Sequence, residues 1–228
     1  MRTENRLRRA AIPGAAVLIT LMFSFLAAPV RAEADPKGAP EVRLRWALGA
    51  LGTAGGKPTA IQRDTELGKG TKLKFLVEPM SAGSVYLLLM DSSGELHVLY
   101  RKASTVSATG GGPPVYIPPG SQWFELDEGA GVDTFFLLAS VEPLQDLGKL
   151  LDRHEAAEAA GKKAAATAVI EEVLRLNKAY RNFARPVERP VMIGGQTRGS
   201  TDAASAIDQL AVEVEAERFY GKTITIDH

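Results

Sequence analysis

Short apolar runs separated by turn residues fill the chain from about residue 42 to residue 142. Residues 72–78 alternate apolar and polar side chains, which predicts a strand with one buried face and with Lys74 on the solvent face. The unbroken apolar run 85–90 is typical of a central strand covered on both faces. Turn residues follow it before alternation resumes, so residues 84–101 predict a β-hairpin. Further strands are predicted at 115–117, 122–126 and 132–140, and this series of short strands favours a sandwich or rolled sheet.

After Pro143 the apolar positions change to a helical spacing. They recur every three or four residues over about 143–158 and 164–182, which predicts two amphipathic helices. Gly161 between them permits a helical hairpin. The second helix carries a single apolar stripe, so it must pack on the sheet or on its partner helix.

Prolines and glycines predict a long connection at 183–206, and alternation at 210–217 and 223–227 then predicts a closing pair of strands. The predicted fold class is therefore α+β: a mainly antiparallel β-sandwich-like domain with a packed helical hairpin and C-terminal strands. The predicted organisation is a signal peptide at 1–32, a flexible leader at 33–41, a β-domain at 42–142, a helical hairpin at 143–182, and a loop with closing strands of the same domain at 183–228.

The first 32 residues have the pattern of an export signal. Arginines precede an apolar segment at 10–28, and the small residues Val30 and Ala32 match a signal-peptide cleavage site. We expect cleavage after Ala32 and a periplasmic or otherwise exported protein. The alternative is an inner-membrane anchor, because roughly 20 apolar residues span a bilayer. Pro13 and Gly14 interrupt the segment and favour cleavage, so membrane contact is expected only if this segment stays uncleaved.

Removing the signal changes the charge of the protein. The whole chain has 27 basic and 27 acidic residues, and the chain from residue 33 onward keeps 22 and 26, a net charge of −4. A mildly acidic protein lacks the basic footprint of nucleic-acid binding, so no nucleic-acid partner is expected. The sequence contains no cysteine, which excludes a lipid-modified lipoprotein and a disulfide-stapled domain.

Three segments carry the pattern of a known family: Leu73-Lys74-Phe75, the hairpin from Val85 to Tyr100, and Tyr116-Ile117-Pro118. With them, residues 60–142 resemble the bacterial domain of unknown function 4384. The resemblance implies a small β-domain of exported or envelope proteins, sometimes joined to kinase or caspase-like modules. It implies no assigned activity and no catalytic residues. No kinase or peptidase module accompanies the pattern in this sequence.

No catalytic or metal-binding motif stands out in the sequence. The histidines His97, His154 and His228 lack the close spacing of a metal site, and we expect them at the surface or at edges. The local signatures of serine enzymes are missing, although a dispersed triad needs only spatial proximity. Residues 55–59 lack the first glycine and the hydroxyl of a phosphate loop. An acidic group at 127–133 lacks the spacing of a calcium loop, so no metal and no cofactor are expected.

Two surfaces remain as candidate contact sites. The loop 194–201 is polar and rich in donors, and its arginine suits a carboxylate or phosphate; an exposed connecting loop is the alternative. Two aromatic residues beside a Pro-Pro-Gly turn predict a face for a glycan or a protein, or packing at the rim of the core. The candidate ligand or partner contacts are Arg198, Gln196, Thr197, Trp123 and Tyr116.

The predicted function is that of a non-enzymatic exported envelope protein, a protein-interaction or accessory module whose partner is another envelope protein. The alternative is a periplasmic ligand-binding protein for an anionic or sugar ligand, and a third hypothesis is a hydrolase with a dispersed site. A pocket that gathers Arg198 with aromatic walls would favour the second. A hydrogen-bonded Ser–His–Asp trio would favour the third.

Cleavage of the predicted signal peptide can be tested on the protein itself. Protein recovered from the envelope should begin at Glu33, because Val30 and Ala32 satisfy the small-residue requirement of the cleavage site. Intact-mass measurement checks this. A mass that retains residues 1–32 would contradict it and favour the anchored form.

Overall fold

A computed structural model describes residues 41–104, 112–126, 129–181, 186–191 and 203–228. The predicted signal peptide and residues 33–40 of the predicted leader lie outside these ranges. In the described part of the chain, no helix is both long enough and apolar enough to cross a bilayer.

The described chain begins with strands, and helices and strands are interspersed after β9. In chain order the strands are β1 (Glu41–Leu51), β2 (Thr59–Ala60), β3 (Thr65–Glu66), β4 (Lys72–Pro79), β5 (Gly83–Met90), β6 (Leu96–Ser104), β7 (Val115–Ile117), β8 (Phe124–Glu125), β9 (Val132–Ser140), β10 (Val187–Pro190), β11 (Val212–Glu217) and β12 (Phe219–Asp227). The helices are α1 (Gln145–Ala156), α2 (Ala159–Ala179) and α3 (Ala203–Asp208).

The strands form two sheets. Sheet A has the order β10-β11-β1-β4-β7, with β2 paired to β1 and β8 paired to β4. Sheet B has the order β3-β12-β9-β5-β6, in which β3 and β12 make a short parallel pair. The other pairings of both sheets are antiparallel. The predicted α+β fold, mainly an antiparallel β-sandwich with helices, is confirmed.

The inner faces of the two sheets share one apolar core. On β1 every second side chain points inward, so that Leu44, Trp46 and Leu48 are buried in it. Sheet B contributes Leu87 and Phe135, and the Phe135 ring lies 4.9 Å from the ring of Phe75 on β4. This alternation places the remaining side chains of β1 and β4 on the outer face of sheet A.

Helices α1 and α2 cover the outer face of sheet B. Leu151 and Val173 of the helices are fully buried against Leu88 and Leu138 of the sheet. On β5, Leu87 therefore faces the inter-sheet core while its neighbour Leu88 faces the helices. The prediction that residues 85–90 form an interior strand covered on both faces is confirmed.

The helical hairpin is present, but it turns at a different place from the one predicted. Ala157 is extended, with ψ of 137°, and Glu158 with ψ of 163° precedes α2. Gly161 lies inside the first turn of α2, where its N–H donates to the carbonyl of Glu158. The break needs only two extended residues, so the glycine is not the hinge.

The predicted closing pair of strands is wrong as a pair. Strand β11 joins sheet A beside β1, whereas β12 joins sheet B beside β9. Between them Arg218 has a positive φ of 61°, and this left-handed residue turns the chain from one sheet to the other. The predicted connection at 183–206 also contains β10 and the beginning of α3.

The burial of Leu88 leads to a prediction about stability. Leu88→Ala should lower the free energy of unfolding by about 2–5 kcal/mol, because the side chain is fully buried and its loss leaves a cavity. Leu174→Ala on α2 is the matched control, since Leu174 is 56% exposed and should change stability by about 0.5 kcal/mol or less. Denaturant unfolding of both variants checks the difference. Equal effects would contradict the placement of Leu88 between sheet and helices.

Candidate functional site

In the described part of the chain, the outer face of sheet A has a covered end and an open end. At the covered end α3 packs on Ala47 and Leu76 through Ile207, and all three side chains are buried. Two residues beyond Ala47 on the same face of β1 is Gly49, where an added Cβ would clash with Cδ1 of Ile207. A glycine on β1 therefore leaves the space in which the short helix sits.

Tyr116 lies at the edge of this covered end. Its hydroxyl donates to Asp208 at 3.0 Å, and Arg45 lies 3.5 Å from the same carboxylate. Burial, followed by the hydrogen bond and negative charge of Asp208, raises the pKa of Tyr116 to about 12. The hydroxyl of this predicted contact residue is thus engaged in a link between β7 and α3.

Trp123 packs in the same cluster, beside a buried lysine. Lys74 is fully buried, and its Nζ donates to the carbonyls of Gly120 at 2.6 Å and Gln122 at 2.7 Å. The same Nζ lies 5.5 Å from the centroid of the Trp123 ring, within the range of a cation–π contact. The prediction that Lys74 faces solvent is wrong, because the turn after β7 folds over this face and its carbonyls replace water.

The loop residues Arg198, Gln196 and Thr197 lie outside the described residues. Val191 and Leu210 pack against the cluster that contains Tyr116 and Trp123. The structure therefore brings the two predicted aromatic contacts together at the covered end, half-buried and already engaged by partners within the chain. Their role towards a ligand or a partner stays a prediction.

The open end of sheet A carries alternating charges, which we call the charged strip: Arg43, Arg45, Glu78, Arg189, Glu213 and Glu215. Strand register places Arg45 between Glu213 and Glu78, and Arg189 opposite Glu213. Ion pairs join the strands, with Arg45–Glu78 at 3.0 Å, Arg43–Glu213 at 3.2 Å and Arg189–Glu215 at 3.5 Å. The arginines at positions 43 and 189 remain 42% and 66% exposed.

A second group of polar side chains lies at the turn between β5 and β6. Asp91, Glu95 and His97 each offer one ligand atom, and these atoms lie within 4.8 Å of one another. Oδ2 of Asp91 is 2.8 Å from Nε2 of His97. We call these three residues the hairpin cluster. Glu95 directly precedes β6 and is two residues before His97, and the turn brings Asp91 back to them, with the N–H of Asp91 donating to the carbonyl of Glu95.

Asp91 is held in place by the turn. Its Oδ1 accepts hydrogen bonds from the N–H of Ser93 at 3.0 Å, the hydroxyl of Ser93 at 2.6 Å and the N–H of Glu95 at 2.9 Å. Burial alone would raise the pKa of Asp91, but the hydrogen bonds and the positive charge of His97 outweigh it and lower the pKa to about 2. The carboxylate is therefore charged at any physiological pH.

Sequence spacing alone missed the hairpin cluster because only the histidines were compared with one another. The cluster could have been predicted from the register of the predicted hairpin, because this register places Asp91 of the turn beside the first residues of the next strand. The prediction of surface or edge histidines is wrong for His154, which is 3% exposed and hydrogen-bonded to the carbonyl of Leu96. It is also wrong for His228, whose side chain is 2% exposed and lies 3.6 Å from the carboxylate of Asp133. Of the acidic group at 127–133, Asp133 accepts the N–H of Ser92 at 2.9 Å.

The lowered pKa of Asp91 generates a pH prediction. A depressed carboxyl pKa stabilises the fold above its ordinary value of 3.8, and that stability is lost as the pH falls towards about 2. Asp91→Asn should lower the unfolding free energy at neutral pH and flatten its decline in acid. Urea unfolding across this pH range checks the result. Asp146→Asn, at a position 72% exposed on α1, is the control and should keep the wild-type slope.

In the comparisons with known proteins, no family model matches the sequence, and neither the curated proteins nor the solved structures give a match. The resemblance of residues 60–142 to the domain of unknown function 4384 therefore stays a prediction.

Proposed function

We propose that this protein is a non-enzymatic exported accessory module of the cell envelope, which binds another envelope protein through the charged strip of sheet A. The observation that carries the proposal is that helices cover the outer face of sheet B but only one end of the outer face of sheet A. Both inner faces are buried in the common core, and two helices cover the outer face of sheet B. Helix α3 covers one end of the outer face of sheet A, whereas Arg43 and Arg189 at the other end keep much of their surface exposed.

The chemistry of the strip favours a protein partner. Three arginines and three glutamates alternate across four strands, so neither sign dominates. A phosphate backbone would need a basic surface, whereas a protein surface can present charges of both signs in the matching order. The pairs Arg43–Glu213 and Arg189–Glu215 are partly exposed, and ion pairs of this kind contribute about 0–1 kcal/mol each. They can therefore be exchanged for contacts with a partner at little cost.

Val187 adds an apolar contact at the edge of the strip. It lies on β10 opposite Glu215 and is 44% exposed. An apolar side chain at the margin of a polar surface is a suitable anchor, because burying it contributes more than the surrounding charge pairs. Arg189 is two residues further on the same side of β10, so a partner that covers one of them also reaches the other.

A small-molecule enzyme site finds less support in the geometry. Among the described residues, the depression lined by Arg43, Pro79, Gly83 and Ser140 has a cavity volume of only about 10 Å³, whereas pockets that hold metabolites usually measure about 300 Å³ or more. The alternative of a ligand-binding protein relies on the loop 194–201, which lies outside the described residues, or on the aromatic face of Trp123 and Tyr116, whose polar contacts are made within the chain.

Site-specific photo-crosslinking in the native envelope tests the proposal. A photoreactive amino acid at position 189 should yield an adduct with a distinct envelope protein, because Arg189 is the most exposed charge of the strip. The same group at Lys149, 70% exposed on α1, is the control and should yield none. With the partner purified, Arg189→Glu should weaken binding roughly tenfold, about 1.4 kcal/mol, and Lys149→Glu should leave it unchanged.

Two results would contradict the proposal. One is equal crosslinking from positions 189 and 149, which would show contact without a preferred surface. The other is the absence of any adduct at position 189 while the protein remains folded, as judged by an unchanged melting temperature.

A further inference from the structure

The hairpin cluster has the composition and spacing of a divalent-cation site, and we infer that Asp91, Glu95 and His97 bind a transition-metal dication of the zinc type. This site lies at the turn between β5 and β6 and is independent of the charged strip on sheet A. The inference rests on four features of the described residues: the identity of the donors, their distances, the turn that holds two of them in place, and the excess of negative charge.

The donors are one imidazole nitrogen and two carboxylate oxygens. Zinc takes this mixture of nitrogen and oxygen ligands, with three protein groups and water completing a tetrahedron. Calcium and magnesium prefer oxygen alone. The histidine therefore selects against the two hard cations and in favour of a borderline metal.

The distances fit after a small adjustment. Metal–ligand bonds of about 2.1 Å at tetrahedral angles place neighbouring ligand atoms about 3.4 Å apart. Asp91 and His97 are 2.8 Å apart, and all three ligand atoms lie within 4.8 Å of one another. Glu95 is exposed, so its side chain can move by the ångström that closure requires.

The scaffold holds two of the ligands before any ion arrives. Three donors on Oδ1 of Asp91 fix that carboxylate and leave Oδ2 directed at His97. His97 is on β6, in register with Leu89 of β5. A ligand set that is already ordered loses less conformational entropy when it binds.

The charge of the cluster also calls for a cation. Among the described residues, His97 is the only basic group that pairs with Asp91, and Glu95 makes no ion pair. Two carboxylates thus face one imidazole, so negative charge is in excess in the cluster whichever form the histidine takes. A dication would balance both carboxylates at once.

The competing explanation is structural: Asp91 and His97 form an ion pair that only closes the hairpin. Isothermal titration of the purified protein with zinc at neutral pH separates the two. We expect one zinc per chain, with affinity reduced at least about tenfold in both His97→Gln and Glu95→Gln. Glutamine at position 97 can still donate to Asp91, so the hairpin contact is kept while the imidazole is lost. Glu171→Gln, at an exposed position on α2, should bind zinc like the wild type.

Melting temperatures provide the second readout. Zinc should raise the melting temperature of the wild type and of Glu171→Gln, but not of the other two variants, since only a bound ion stabilises the folded state. Undiminished zinc binding by both His97→Gln and Glu95→Gln would overturn the inference, because the ion would then lie elsewhere. Failure of the wild type to bind at millimolar zinc would overturn it as well.

Discussion

The fold depends on burying apolar side chains on both faces of sheet B and on the inner face and one end of the outer face of sheet A. Sheet A and sheet B share one core, α1 and α2 close the outer face of sheet B, and α3 with the turn after β7 closes half of the outer face of sheet A. A strand such as β5 of sheet B cannot keep a simple alternation of apolar and polar residues, because both of its faces are buried. Where a polar side chain is buried, as Lys74 is, backbone carbonyls must take the place of solvent.

Patterns that depend on local sequence predicted much of the fold. Strand β9 has the predicted bounds, and the β5–β6 hairpin was predicted to within a few residues, because turn residues separate runs of clear periodicity. Contacts distant in sequence were missed. Lys74 is buried by a turn more than forty residues further along, and Arg218 sends two adjacent strands into different sheets. Neither fact has a local signature.

The candidate sites show the same difference between features set by local sequence and features set by contacts distant in sequence. Tyr116 and Trp123 were predicted as neighbours and do lie in one cluster, but their engagement by Asp208 and Lys74 arises from α3 and β4. The hairpin cluster required only strand register, which the predicted hairpin already implied. The charged strip required the order of four strands, of which two are at opposite ends of the described chain. Sites built within one hairpin can be predicted from sequence, whereas sites built across a sheet require the topology.

The pairing of β1 with β11 has a consequence for the order of events in folding. Arg43 and Glu213 are 170 positions apart, so the centre of sheet A stays unpaired on one side until nearly the whole chain is available. Contacts between residues so far apart in sequence close large loops and slow folding to the native state. A nascent chain of this topology therefore stays unfolded for longer than one built from local hairpins. Such a delay would suit the export that we propose, and it exposes β1 and β4 to aggregation unless a chaperone binds them first.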